Sequence, residues 1–528
     1  MSKFNKAGVA PVNVTTKPTT FTAEGSPSYK FDHKMELYQT VVTTLFGESK
    51  FYEGKDARAD RITRLVRKCV EKGEAQFVAN LAVYAREQMY LRSIPVFLTV
   101  TLAKELRDAK NTEFNKVRSL AGRVIQRADE IREMFAAAEA VFGDKENNKL
   151  FKRVAPRALL KGIGDAFNNF DAYQFKKYSG GNGSVKFTDV MRVVHPTPKT
   201  EAQSEIFKQI MEGTLPAIET WETKISNEGS NQENWQEVAN SPKTGYMAKM
   251  RNLRNFVKHD VDLTKVLEHL TNENAVANSK QLPFRFYTAY RELGGQGLKR
   301  RYGFYNNVST PEVLAGPGVL SALEDAFDLS VKNLPDLGDD VLIVVDQSGS
   351  MQSPISDKST VTCAEIAGVL GAAVWYNQVV NLGKKAMVAG FASRGVVYNW
   401  SKRTSSLAAA KEMMNTELGG ATMIETAWRS AQQAGLKPTT IVVLSDMQMT
   451  GGRGYWGSYD SIMVPEKFGL ADKDTLKVSV NLQGYDNSPL AVNNGWFQIS
   501  GWSEKVFNLM EAMLKPGDAV KIINDIDL

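Results

Sequence analysis

From about residue 34 to residue 330, apolar side chains return at the three- and four-residue spacing of a helix with one buried face. In "ADRITRLVRKCVEKG" the stripe is Ile62, Leu65, Val66, Cys69 and Val70, with Arg61, Arg64, Arg67 and Lys68 on the other faces. "EAQFVANLAVYAREQ" repeats the style through Phe77, Leu81, Tyr84 and Ala85, and Pro95 in "RSIPVFLTVTLAKELRDA" suits a first helical turn. Further segments of this kind follow, down to "VDLTKVLEHLTN", separated by short polar or glycine-containing breaks. Strand signals are scarce. Successive helices with short connections predict an α-solenoid of HEAT-like repeats. No exact sequence repeat is present, so the period is structural only.

Near residue 338 the pattern changes. "GDDVLIVVDQSGSM" reads as a buried strand, "STVTCAEIAGVLGAAVWYNQVVN" as an apolar helix, and "KKAMVAGFAS", "TTIVVLSDM" and "TLKVSVNLQG" as further strands, with helices between them. Continuous apolar strands alternating with helices predict a Rossmann-like α/β domain whose parallel sheet is covered on both faces. The expected boundaries are an arm over residues 1–30, a helical-repeat domain over 31–335 and the α/β domain over 336–528. The arm is rich in Pro, Thr and Ser, so it is expected to be loose.

Ligands of such sheets bind beyond the carboxyl ends of the strands. There the sequence places Asp346, Ser348 and Ser350 after the first strand, Thr422 in the glycine loop "LGGATMIETA", and Asp446 after "IVVLS". Carboxylates and hydroxyls without His or Cys suit a hard cation, Mg²⁺, with some water retained. Two acids leave such an ion under-neutralised, with a position open to a partner's carboxylate or phosphate. The bland alternative is a capping turn. No GxSxG elbow occurs, and none of the four histidines lies in this domain, so a hydrolase triad is excluded. The DxSxS, threonine, aspartate order resembles a von Willebrand factor A domain with its metal-ion-dependent adhesion site.

Charge divides the chain. Residues 1–300 hold 47 Lys+Arg against 35 Asp+Glu, and residues 301–528 hold 18 against 24. The first part therefore suits polyanions. The strongest local excess is in residues 151–200, with nine basic residues against three acidic ones. Two cysteines, Cys69 and Cys363, provide neither a disulfide framework nor a cysteine-rich zinc site, so a reducing cytoplasm is expected. The N-terminus lacks the apolar core of a signal peptide, and no apolar run reaches a membrane span.

Helical repeats followed by an A domain are an unusual pairing. With "VVTTLFGESKFY", "LAVYAREQMYLRSIPVFLTVTLA", "KFTDVMRVVHPTP" and "MAKMRNLRNF", and with "VSVNLQGYD" and "FQISGWSEKVFNLM" near the end, the chain resembles the Ro 60 kDa, or TROVE-module, RNA-binding proteins. The resemblance implies a monomeric ring of helical repeats closed by the A domain. It implies a basic central hole for single-stranded 3′ ends of misfolded RNA, and an outer surface for a small structured Y-like RNA. Some bacterial members tether a 3′ exonuclease through such an RNA. Carried onto this sequence, the hole residues are Lys176, Lys177, Arg192 and His195. From the basic runs, the outer-surface candidates are Arg58, Arg61, Arg64, Arg67, Lys68, Lys152, Arg153 and Arg157. The function expected is a non-catalytic ribonucleoprotein scaffold in RNA quality control. The competing expectation is a metal-dependent protein-adhesion module without an RNA role.

Overall fold

The computed structural model describes residues 19–43, 57–143, 155–180, 185–294, 315–354, 361–450, 464–501 and 519–528, apart from positions 24, 219, 282, 486 and 491–494. Strands β1 (Thr20–Phe21) and β2 (Pro27–Lys30) come first. They precede helices α1 (His33–Thr43), α2 (Ala57–Glu71), α3 (Ala75–Glu87), α4 (Ser93–Asp108), α5 (Val117–Val124) and α6 (Ala128–Phe142). Next are α7 (Arg157–Ala166), α8 (Ala172–Lys177), α9 (Phe187–Val194), α10 (Glu201–Glu212), α11 (Trp221–Glu228) and α12 (Gln232–Asn240). Then come α13 (Tyr246–Lys258), α14 (Thr264–Leu270), α15 (Glu273–Ser279), α16 (Pro283–Glu292) and α17 (Pro317–Val331). The remainder alternates: β3 (Asp340–Asp346), α18 (Cys363–Tyr376), β4 (Lys385–Phe391), β5 (Gly395–Tyr398), α19 (Ser406–Asn415), α20 (Glu425–Gln433), β6 (Thr440–Ser445), β7 (Leu476–Asn481), β8 (Asn487–Ser488), β9 (Trp496–Ser500) and α21 (Ala519–Asn524).

Two compact units result. One comprises Asp32–Thr44, Ala57–Thr223 and Val520–Leu528, and the other the remainder of the chain. The first is helix on helix: α1 packs on α2, α3 on α4, α4 on α6 and α5 on α7. The α2 stripe forms as its spacing predicts, with Ile62, Leu65, Val66, Cys69 and Val70 all buried. A buried ion pair ties α3 to α6. Arg86 donates to both carboxylate oxygens of Glu130, at 2.9 and 3.0 Å, and to the Val124 carbonyl at 3.1 Å. Glu130 also accepts from the backbone N–H groups of Gln126 and Arg127, which offsets the cost of burying its charge. The C-terminal residues belong to this unit and not to the α/β domain that their position in sequence suggests. Asn80 donates to the Asn524 carbonyl at 3.2 Å, Arg123 donates to the Asp527 carbonyl, and Ile523 is buried.

In the second unit a six-stranded sheet runs β5-β4-β3-β6-β7-β9. All its pairings are parallel except β4–β5, which is antiparallel. The antiparallel edge strand is an addition to the all-parallel expectation, and mixed sheets of this kind are common in α/β folds. Leu342, Val344, Phe391, Trp428, Ile441 and Val443 form an apolar cluster on one face. On the other, α18 is buried almost all round, as a uniformly apolar helix must be. Gly371 lets it approach, because a Cβ there would lie 2.9 Å from Val345 Cγ2. The later helical repeats pack on this helix and on α19. Tyr287 donates to Glu365 at 2.9 Å, Arg291 pairs with Glu365 at 3.2 Å, and Lys411 reaches Tyr290 and Glu324. Leu253 and Phe256 are buried repeat-packing residues, as expected of "RNLRNF".

Residues 20–30 correct the expectation of a loose arm. β1 pairs with β2, and β2 pairs antiparallel with β8. Thr22 Oγ1 donates to the Met449 carbonyl at 2.9 Å, the Ala23 N–H to Gln448 Oε1 at 2.8 Å, and Ser28 Oγ to Asn487 at 2.9 Å. Composition alone gave no sign of this, because the partners lie more than four hundred residues away.

Candidate metal centre and basic surface

The register of β3 and β6 sets Val345 beside Leu444, so Asp346 and Ser445 end their strands side by side. Ser445 Oγ donates to Asp346 Oδ2 at 2.6 Å, and the Ser348 N–H donates to Oδ1 at 2.9 Å. Ser348 Oγ and Ser350 Oγ are 3.4 Å apart. The glycine loop is stitched to this turn by the Gly349 N–H, which donates to the Gly420 carbonyl at 3.0 Å. Gly419 must be glycine. Its φ is +93°, and a Cβ would lie 2.5 Å from Ser393 Oγ. On that loop the Thr422 N–H donates to Thr450 Oγ1 at 3.1 Å, and the Thr450 N–H returns a bond to the Thr422 carbonyl at 2.9 Å. Asp446 Oδ1 accepts from the Gln448 N–H at 3.1 Å. These links gather Asp346, Ser348, Ser350, Thr422 and Asp446 at the carboxyl edge, and all five are buried.

The donor set fits a hard divalent cation. Every candidate ligand is an oxygen, and no basic side chain among the described residues pairs with Asp346. Burial pushes the Asp346 carboxyl up to about 6, opposed only by the hydrogen bonds from Ser348 and Ser445. Such a carboxylate is costly to ionise without a counter-charge.

Basic candidates separate into two kinds. Along α2 the arginines are used within the fold. Arg58 is 2% exposed and donates to Thr43 Oγ1 at 2.7 Å, which removes it from the outer surface. It falls on the buried side of the helix, where a hydroxyl partner takes up its guanidinium. Arg64 pairs with Glu36 at 3.1 Å and Arg67 with Glu105 at 2.9 Å, while Arg61 is half-buried and Lys68 exposed. Arg157 is exposed at the start of α7. Lys152 and Arg153 lie outside the described residues, as does most of the glycine-rich loop after Asp446.

The α8–α9 region is different. Phe175 of α8 stacks on Phe167 at 5.7 Å and meets Phe187 of α9 edge-on at 5.2 Å, which holds the two helices together. Lys177 lies 5.9 Å from the rings of both Tyr173 and Tyr178. Neither Lys176 nor Lys177 has an acidic partner among the described residues. Arg192 is exposed and reaches Asp189 only at 3.6 Å. His195 caps α9 with φ +48° and is exposed. The three acids of residues 151–200 are already engaged. Asp165 accepts from Arg118 at 2.9 Å, Asp171 caps α8, and Asp189 accepts from the Lys186 N–H at 3.0 Å.

Residues 212–316 match the TROVE domain. Telomerase protein component 1 of Rattus norvegicus is 36% identical over 82 residues, covering 15% of this chain and 3% of that protein. The Mus musculus protein of the same name is 36% identical over 78 residues, covering 14% of this chain and 3% of its own length. The chain thus matches only a small part of these relatives. The crystal structure of the Deinococcus radiodurans RO (RSR) protein superposes with a TM-score of 0.61 at 18% identity, covering 92% of this chain and 99% of that one. The architecture found here, helices joined to an α/β domain, is shared with that structure. Residues 212–316 of this chain carry a TROVE-domain match, and its fold is similar to that of the RO (RSR) protein.

Proposed function

We propose that this chain is a non-catalytic RNA-binding scaffold that holds single-stranded 3′ ends of misfolded RNA through Lys176, Lys177, Arg192 and His195. The observation that carries this reading is the imbalance on α8 and α9: among the described residues the lysines there lack acidic partners, while the nearby acids are spent on caps and on Arg118. Uncompensated cations beside exposed Tyr173 are what phosphates and unstacked bases require. The matched TROVE domain and the likeness to the RO (RSR) protein support the same reading. In this account the repeats form a monomeric ring around the 3′ end. A small structured Y-like RNA is held outside by Arg61, Arg64, Arg67, Lys68 and Arg157, and the particle works in the cytoplasm, where that RNA can tether a 3′ exonuclease.

Mg²⁺ is the cation proposed for Asp346, Ser348, Ser350, Thr422 and Asp446. Bound there, it supplies the counter-charge that the buried Asp346 lacks and an acceptor position for an external carboxylate or phosphate. A second reading, protein adhesion, rests on that centre alone. The deciding experiment measures binding of a hairpin RNA, with and without a single-stranded 3′ tail, over a range of salt and with or without chelator. The RNA reading expects tail-dependent affinity that falls steeply with salt and survives chelation. Tail-independent binding, or none, overturns it.

A further inference from the structure

A second cluster of metal-ligating side chains lies in the helical unit, away from the oxygen centre. Asp32 caps α1 by accepting from the Lys34 and Met35 N–H groups, both at 2.9 Å, which places His33 in the first turn. α2 ends in a Schellman turn: the Gly73 N–H donates to the Val70 carbonyl at 3.0 Å, and the Glu74 N–H to the Cys69 carbonyl at 2.8 Å. Gly73 adopts φ +74° to allow it. The turn folds Glu74, the residue before α3, back over Cys69. One ligand atom each of His33, Cys69 and Glu74 then lies within 4.8 Å of the others. This is the one such trio of His, Cys, Asp or Glu among the described residues.

We propose that His33 Nε2, Cys69 Sγ and Glu74 Oε2 bind Zn²⁺, which joins the adjoining ends of α1, α2 and α3. One nitrogen, one sulfur and one oxygen form a borderline-soft set, matched to Zn²⁺ and mismatched to Mg²⁺. Tetrahedral zinc sets its ligand atoms roughly 3.3–3.8 Å apart, given bond lengths of ~2.0–2.3 Å, so only small side-chain movements are needed. His33 Nε2 and Glu74 Oε2 now share a hydrogen bond that the ion replaces. Lys34 holds the other carboxylate oxygen at 3.0 Å, which orients Glu74 and leaves Oε2 for the ion. Cys69 is fully buried, while His33 and Glu74 keep 11% and 25% of their side-chain surface, so water can take the fourth position. Without the ion the thiol is protonated, pushed up to about 12 by burial and by the Glu74 carboxylate. Binding exchanges that proton for zinc.

Co²⁺ titrated into the full-length, chelator-stripped protein, with Mg²⁺ present throughout, tests the site. The expected result is a thiolate-to-cobalt charge-transfer band that saturates at one equivalent and is displaced by Zn²⁺. The band is lost in Cys69→Ser and kept in Cys363→Ser. Glu74→Gln, whose folding is checked by circular dichroism, weakens Co²⁺ at least as much as loss of an outer-shell partner does, ~10- to 100-fold. Zn²⁺ raises the unfolding temperature of the parent and of Cys363→Ser, and leaves His33→Ala unchanged. No band in the parent, or a band that survives Cys69→Ser, reduces the trio to a hydrogen-bonded cluster and overturns the proposal.

Discussion

Ser445 donates its hydroxyl to Asp346 across the ends of two neighbouring parallel strands, at 2.6 Å. That bond fixes one oxygen of the buried carboxylate, and the Ser348 N–H fixes the other. The residue before Asp446 thereby positions the first acid of the centre.

If Asp346 holds the proposed cation, the protein's need for that ion should depend on pH. The Asp346 carboxyl is raised to about 6 in the fold. In the unfolded chain it titrates at the ordinary ~3.9. Between these values the folded state keeps a proton that the unfolded state has released. With no cation present, stability therefore falls as pH rises through this window, by on the order of 3 kcal/mol in total. Mg²⁺ takes the proton's place, so its stabilising effect grows from pH 5 to pH 7.5. Thermal unfolding with and without Mg²⁺ at both pH values measures this, and Asp346→Ala should abolish the Mg²⁺ increment while leaving RNA affinity nearly intact.

Gln448 links the N-terminal hairpin to the candidate metal centre. Its side chain accepts from the Ala23 N–H, and its own N–H caps Asp446. Gln448→Leu keeps the backbone cap but loses the hairpin bond. Mg²⁺ affinity, read by calorimetry, should fall toward the ~10-fold typical of lost outer-shell support, and proteolysis near residue 23 should quicken.

The α8–α9 cations are expected to act as phosphate contacts. Alanine at Lys176, Lys177 and Arg192 together should flatten the salt dependence of 3′-tail binding by about two powers of salt, at ~0.7 per contact on single strands. Alanine at Arg64 and Arg67, which have acidic partners in the fold, should leave tail binding unchanged. Equal losses in both sets would place the RNA elsewhere.

Arg86 and Glu130 form a pair whose halves depend on each other. Arg86→Leu leaves the buried carboxylate with only the more distant Arg92, at 3.5 Å, and should cost up to ~3–5 kcal/mol in chemical denaturation. Replacing both with apolar residues of similar size should recover much of that loss.

The α2 stripe and the gathering of Asp346, Ser348, Ser350, Thr422 and Asp446 at one sheet edge were legible because both rest on local signals. One is a helical period, the other a continuous apolar strand running into DxSxS. Arg58 was misplaced because helical spacing does not say how wide the buried face is. The edge strand Gly395–Tyr398 was missed because a four-residue hairpin arm carries little periodicity. The ordered hairpin of residues 20–30 and the docking of residues 520–528 depend on partners hundreds of positions away. The His33, Cys69 and Glu74 trio was hidden for another reason. Its ligands do not fall at a metal-motif spacing, and only the turn at Gly73 brings them together.

Each compact unit is completed by the far end of the chain. A small three-stranded sheet in one unit pairs β2, from residues before 31, with β8, and the early helices of the other take a partner from residues after 519. Removal of residues 519–528 therefore uncovers the surface of α3 and α5 that holds the Asn524 and Asp527 carbonyls.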